Sequence, residues 1–78
     1  MYDAPLRRRW VIRQQNAAKV GAAIRKLRLA RGWNLAVLSA QSGIPISTLS
    51  RAELGQSALR HEKLIRICRA LEVEEVGF

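Results

Sequence analysis

An all-α fold is predicted by three observations. No segment alternates polar and apolar residues for long, the helix formers Ala, Leu, Arg, Glu and Gln dominate, and apolar residues recur at spacings of three and four between glycines. Four such segments predict a compact four- to five-helix domain, the fifth element being an N-terminal basic extension that is either a helix or an arm. A chain of 78 residues suits one domain and leaves no room for a large enzymatic cleft.

The elements follow in order. Pro5 can start a helix running from Leu6 through Trp10 to Asn16, either separate from the next segment or continuous with it. From Asn16, the positions Ala17, Val20, Ile24 and Leu27 share one helix face, and Gly32 ends the run. Asn34 can cap a second, short helix through Leu35, Leu38 and Ser39 to a stop at Gly43. Gly43-Ile44-Pro45 reads as a turn. A third helix spans about Pro45 or Ile46 to Leu54 and is closed by Gly55. Gln56 to Arg60 is a connecting loop, and Leu59, Leu64, Ile67, Cys68 and Leu71 mark the inner side of a fourth helix. Residues 73–78 are expected to form no more than a turn. The division is thus a basic extension over 1–16, a helical domain over 17–72 and a short tail over 73–78.

Charge supplies the first functional constraint. The chain carries 14 Lys+Arg against 6 Asp+Glu, a formal net charge of +8, which points to a polyanionic partner. Ten basic residues and no acidic one lie between Ala4 and Ala52, whereas four basic residues face five acidic ones from Glu53 onward. An unopposed basic stretch builds a field that neutralises phosphates and releases their counterions, so nucleic acid leads the candidates over a merely solvated surface.

Several classes are set aside by composition. One cysteine, Cys68, and one histidine, His61, provide neither an internal disulfide nor a metal cluster, and no cofactor is expected. Cys68 occupies an inner position on the fourth helix and is expected to be packing. The longest apolar run, Leu35 to Leu38, falls far short of a membrane span or a signal-peptide core, so a cytoplasmic protein is expected. There is no paired carboxylate in a cleft, no nucleophile beside a base and no phosphate-cradling glycine loop, so an enzyme is not expected.

Two short helices joined by a glycine turn form a helix-turn-helix unit, whose second helix enters the DNA major groove while the first crosses above it. Here these are the second and third helices. The small Ser39 lets them approach, Gly43 makes the corner, and Ile44 and Leu49 plug the core beneath.

The residues Ile24-Arg25-Lys26-Leu27-Arg28, Arg31-Gly32-Trp33, Leu38-Ser39, Gly43-Ile44, Ser47 to Glu53 and Leu64 to Leu71 carry a resemblance to the Xre family of bacterial regulators, which are phage-repressor-like (lambda-repressor-like). It covers Val20 to Val73. The resemblance implies that Ile46, Ser47, Ser50 and Arg51 face bases or flanking phosphates. For Arg51, a bidentate contact to guanine O6 and N7 stands against a phosphate contact or a free surface charge. Ser47 and Ser50 can bond a base edge or a phosphate, or simply let the backbone come close. Ile46 replaces the family's usual polar residue and would touch a thymine methyl, pack against Pro45 or meet a dimer partner. Leu35 likewise departs from a polar phosphate-binding position, which shifts that role to Asn34.

The resemblance further implies an ion pair between Arg28 and Glu53 that is structural rather than DNA-contacting. Trp33 and Trp10 read as packing residues with base stacking as the alternative. Arg7, Arg8 and Arg9 are candidates for phosphate or narrow minor-groove contacts, or a solvated charge run. Lys26, Thr48 and Arg60 are further phosphate candidates. The expected partner is double-stranded DNA, read by a homodimer on an inverted repeat, with repression of transcription as the expected outcome. An antitoxin that binds a toxin protein and its own promoter, and a non-specific nucleoid-binding protein, are the alternatives. The chain's length leaves no space for a sensor domain, so control by abundance or by a protein partner is expected.

Overall fold

The computed structural model describes residues 11–13 and 16–76. In chain order it contains β1 (Val11–Arg13), α1 (Ala17–Ala30), α2 (Leu35–Ser42), α3 (Ile46–Glu53), α4 (His61–Leu71) and β2 (Glu74–Val76). The four helices are those expected, with ends displaced by a residue or two. Asn16 has an extended backbone, and its side chain accepts from the Lys19 amide at 2.9 Å, so α1 begins there as a separate helix. After α1, Gly32 takes φ +72 and redirects the chain toward α2.

A heptad-like inner stripe from α1 meets one residue each from α2 and α3, Ile44 of the turn between them and four residues of α4. Val20, Ile24, Leu27, Leu38, Ile44, Leu49, Leu64, Ile67, Cys68 and Leu71 form one buried cluster, against which Trp33, Leu35, Leu59 and Val73 pack from its edge. Fully burying each large aliphatic side chain contributes roughly 1.5–3 kcal/mol. Helix α1 lies against α3, while α2 bridges α3 and α4.

The α1–α3 contact is close enough to require glycine. A methyl group built on Gly21 would lie 2.0 Å from the carbonyl oxygen of Ala52 and 3.0 Å from the carbonyl carbons of Ala52 and Glu53. Gly55 makes the reciprocal approach in the loop after α3. Its φ is +74, and a methyl there would sit 2.9 Å from the Ala18 Cα.

The two chain ends depart from expectation. The helix expected over Leu6 to Asn16 is replaced at Val11–Arg13 by a strand, and the tail forms a strand rather than a turn. These strands pair in parallel, with Val11 opposite Glu74, Ile12 opposite Glu75 and Arg13 opposite Val76. Val11 and Ile12 are β-branched and lose side-chain freedom in a helix. The pairing also supplies backbone hydrogen-bond partners to the tail beyond Val73, whose own amide donates to the Cys68 carbonyl at 2.9 Å. The Leu6 to Trp10 part of the expected helix lies outside the described residues.

Between α4 and β2 the chain turns at Glu72, which holds φ 59 although it is not glycine. Arg31 braces this turn. Its Nε donates to the Leu71 carbonyl at 3.2 Å, its Nη2 pairs with Glu72 Oε1 at 2.9 Å, and its guanidinium lies 5.2 Å from the centroid of the Trp33 ring. Among the described residues no helix is long and apolar enough to cross a membrane.

Candidate nucleic-acid interface

Helix α2 starts at Asn34, whose Oδ1 accepts from the Val37 amide at 2.9 Å and satisfies one of the free donors of the first turn. It ends at Gly43, where φ is +75. The corner is tied by two serines. Ser39 Oγ donates to the Ile44 carbonyl at 2.6 Å. Ser42 Oγ donates to the Leu38 carbonyl at 2.7 Å and accepts from the Ile44 amide at 3.3 Å. Smallness was the property read from Ser39 in the sequence; its hydroxyl also fixes the corner. Ile44, buried beneath, anchors the turn to the core.

From this corner α3 departs with Pro45 at its cap position. No side chain caps it, so the early amides of α3 retain their hydrogen-bonding capacity for an outside acceptor. Leu49 and Ala52 are buried on its inner side. Ile46, 47% exposed, and the exposed Ser47 and Arg51 occupy the outer side, while Thr48 and Ser50 are half-buried at its margins. Helix α3 therefore presents a short outward strip holding one apolar group, hydroxyls and one guanidinium, with no carboxylate between Ile46 and Ala52.

The far end of α3 is clamped. Arg28 Nε donates to Glu53 Oε2 at 2.7 Å and its Nη2 to Oε1 at 2.8 Å, while its Nη1 donates to the Trp33 carbonyl at 2.9 Å. The two side chains are only 9% and 5% exposed. The hydrogen bonds from Glu53 raise the Arg28 pKa above its ordinary value; burial opposes this and the carboxylate charge adds to it. One guanidinium thus joins α1 to the end of α3 and to the segment leading into α2. Both members of the pair are largely shielded from solvent.

The remaining candidates are dispersed. Asn34 is exposed at the start of α2, and Arg60 is exposed at the cap position of α4, which also lacks a side-chain cap. Lys26 is exposed on α1, but it lies five residues after Gly21, about 140° round the helix. That places it on the side turned away from α3. Trp33 is half-buried against the core and carries Arg31 over its ring. Cys68 is buried. Arg7, Arg8, Arg9 and Trp10 lie outside the described residues. Sequence reasoning missed the close approach at Gly21 and the Arg31 brace. The latter joins residues about 40 positions apart and has no local signal.

Among the described residues no three His, Cys, Asp or Glu side chains come together as a metal site. The small cavity lined by Asn16, Ala17, Val20, Ala52, Ser57, Ala58 and Leu59 has a volume of about 30 Å³, room for a few waters at most. The outward surface of the α2–α3 unit is the candidate site.

Comparison with known proteins agrees with that geometry. A helix-turn-helix family model matches residues 24–78, which includes the whole α2–turn–α3 unit. No curated protein and no solved structure matches the chain. With α2, its glycine corner and the outward strip of α3 inside a match of this length, the chain belongs to the helix-turn-helix family of DNA-binding regulators.

Proposed function

We propose that the chain is a sequence-specific double-stranded DNA-binding transcriptional repressor. It acts as a homodimer on an inverted repeat whose half-sites lie about 10 bp, or roughly 34 Å, apart. The observation that carries this reading is the outward strip of α3, where Arg51 stands exposed beside Ser47 and Ile46 on a helix clamped at its other end by Arg28 and Glu53. In the major groove Arg51 donates two hydrogen bonds to a guanine, Ser47 and Ser50 contact a base edge or phosphate, and Ile46 packs on a thymine methyl.

Phosphate contacts set the register. Asn34, Thr48 and Arg60, with the uncapped amides at the starts of α3 and α4, supply them on the domain of residues 17–72; Lys26 is the least favoured, given its place on α1. Arg7, Arg8 and Arg9 of the 1–16 extension add phosphate or narrow minor-groove contacts. Occupancy over a promoter then obstructs polymerase.

The test is selection and sequencing of genomic fragments bound by the purified chain at physiological salt, with Arg51→Ala in parallel. An enriched inverted repeat is expected, and Arg51→Ala should weaken it by roughly 1–3 kcal/mol and relax one base position. Uniform recovery of all fragments with steep salt dependence would overturn the sequence-reading role in favour of non-specific binding.

A further inference from the structure

The corner between α2 and α3 holds its central residue by both of its polar backbone atoms. The Ile44 amide donates to Ser42 Oγ at 3.3 Å, and the Ile44 carbonyl accepts from Ser39 Oγ at 2.6 Å. Those atoms lie on the two peptide planes that flank the Ile44 Cα, so one hydroxyl holds each plane. The next residue, Pro45, brings no N–H, and its ring fixes its own φ, here -58. The Ile44 carbonyl is therefore the one polar handle on the peptide that leads into α3, and Ser39 holds it. Ile44 is 1% exposed and Ser42 8%, so water is a poor substitute for the serine hydroxyls.

The two ends of α3 are held differently. Its far end is fixed by Arg28 on Glu53, whereas its near end takes its direction from this corner. If the corner loosens, α3 swings about the clamped end. At about 1.5 Å per residue Ile46 stands roughly 10 Å from Glu53, so a tilt of about 10° displaces it by about 1.8 Å. Arg51, two residues from the clamp, barely moves. Contacts to base edges tolerate roughly 0.5 Å of misplacement.

We infer, on the sequence-reading role proposed above, that Ser39 and Ser42 are positioning residues for base recognition. By holding the two planes at Ile44 they aim the first turn of α3, with Ile46 and Ser47, although neither serine belongs to the outward strip. The near end of α3 thus owes its specificity to two hydroxyls that are already spent inside the protein.

The experiment measures binding of the full chain and its Ser39→Ala and Ser42→Ala variants to two duplexes, the enriched operator and an unrelated sequence of equal length. Fluorescence anisotropy reads the affinities at a temperature where circular dichroism shows each variant folded. Alanine raises helix propensity at both positions, which offsets part of the lost bonding. Each variant should lose about fivefold or more in operator affinity, the lower end of what one mismatched base pair costs. On the unrelated duplex the loss should be no more than about twofold, because the phosphate contacts at Asn34 and Arg60 lie outside α3. A role in stability alone would lower both affinities together or neither. The loss should also be shared with the first turn of α3: in an Ile46→Ala background Ser39→Ala should cost about twofold or less, and in an Arg51→Ala background its full amount. Serine variants that keep the parent's operator preference, or whose loss is undiminished in the Ile46→Ala background, would overturn the aiming role and leave sequence reading intact. A parent chain that prefers no duplex would sink the sequence reading itself, and the aiming role with it.

Discussion

Replacing Gly21 by alanine sets two effects of opposite sign against each other. In an exposed helix interior the change would stabilise by about 0.8–1.0 kcal/mol through helix propensity alone. Here the new methyl would lie 2.0 Å from the Ala52 carbonyl oxygen. Carbon–oxygen contacts of this kind settle at about 3.3–3.6 Å, so the α1 and α3 backbones would have to separate by roughly 1.3–1.6 Å. Overpacking a well-filled site costs about 1–3 kcal/mol. The obstacle is backbone rather than the end of a flexible side chain, so the upper part of that range applies. The net expectation is a loss of about 2 kcal/mol, or roughly 8–16 °C in Tm for a domain of this size. Thermal and urea melting followed by circular dichroism measure it, with Ala22→Gly at the exposed neighbouring position as the comparator for propensity alone. A Gly21→Ala variant as stable as the parent, or more so, would refute the claimed contact between the two helices. Since that contact also seats α3, the variant should bind DNA less tightly even where it remains folded.

Other outcomes follow from the clamp, the caps and the braced turn. Glu53→Gln or Arg28→Ala should cost roughly 3–5 kcal/mol by leaving the other member of a buried pair uncompensated, whereas apolar replacement of both residues should restore much of it; urea midpoints decide. The raised pKa of Arg28 means its contribution is complete below the ordinary arginine value and is lost only as pH rises through the still higher folded value. Melting curves should therefore show no contribution from Arg28 titration across the neutral and mildly alkaline range. Asn34→Ala removes the α2 cap and should cost about 0.5–2 kcal/mol in thermal melting. Glu72→Gly relieves a left-handed backbone worth about 1–2 kcal/mol and gives up an exposed ion pair worth about 0–1 kcal/mol. It should melt at the same temperature as the parent or slightly above it, and a clear drop would show that the Arg31 brace matters more than the strain.

The helices were legible because each is written locally. Asn16 and Asn34 announce starts, Gly32, Gly43 and Gly55 announce ends, and the inner residues recur with the helical period. The α3 strip was legible for the same reason: once Leu49 and Ala52 are assigned inward, Ile46, Ser47 and Arg51 have nowhere else to point. What escaped was determined by partners distant in the chain. Nothing near Gly21 signals that the Ala52 carbonyl will press against it. Val11 and Ile12 prefer extended backbone, but only the tail, some sixty positions away, makes that preference decisive. Arg31 looks like one more surface cation until Leu71, Glu72 and Trp33 are placed around it.

The pairing of β1 with β2 also gives the domain a mechanical character. In a parallel pair, tension entering through the residues before Val11 pulls on one end of the sheet, while tension leaving through the residues after Val76 pulls on the other. The load is then carried in shear across the ladder, with its hydrogen bonds stretched together instead of being unzipped one at a time. A force applied to the two ends of the chain must break this seam before it reaches α1 or α4, so the three-residue strands act as a fastener that shields the helices behind them.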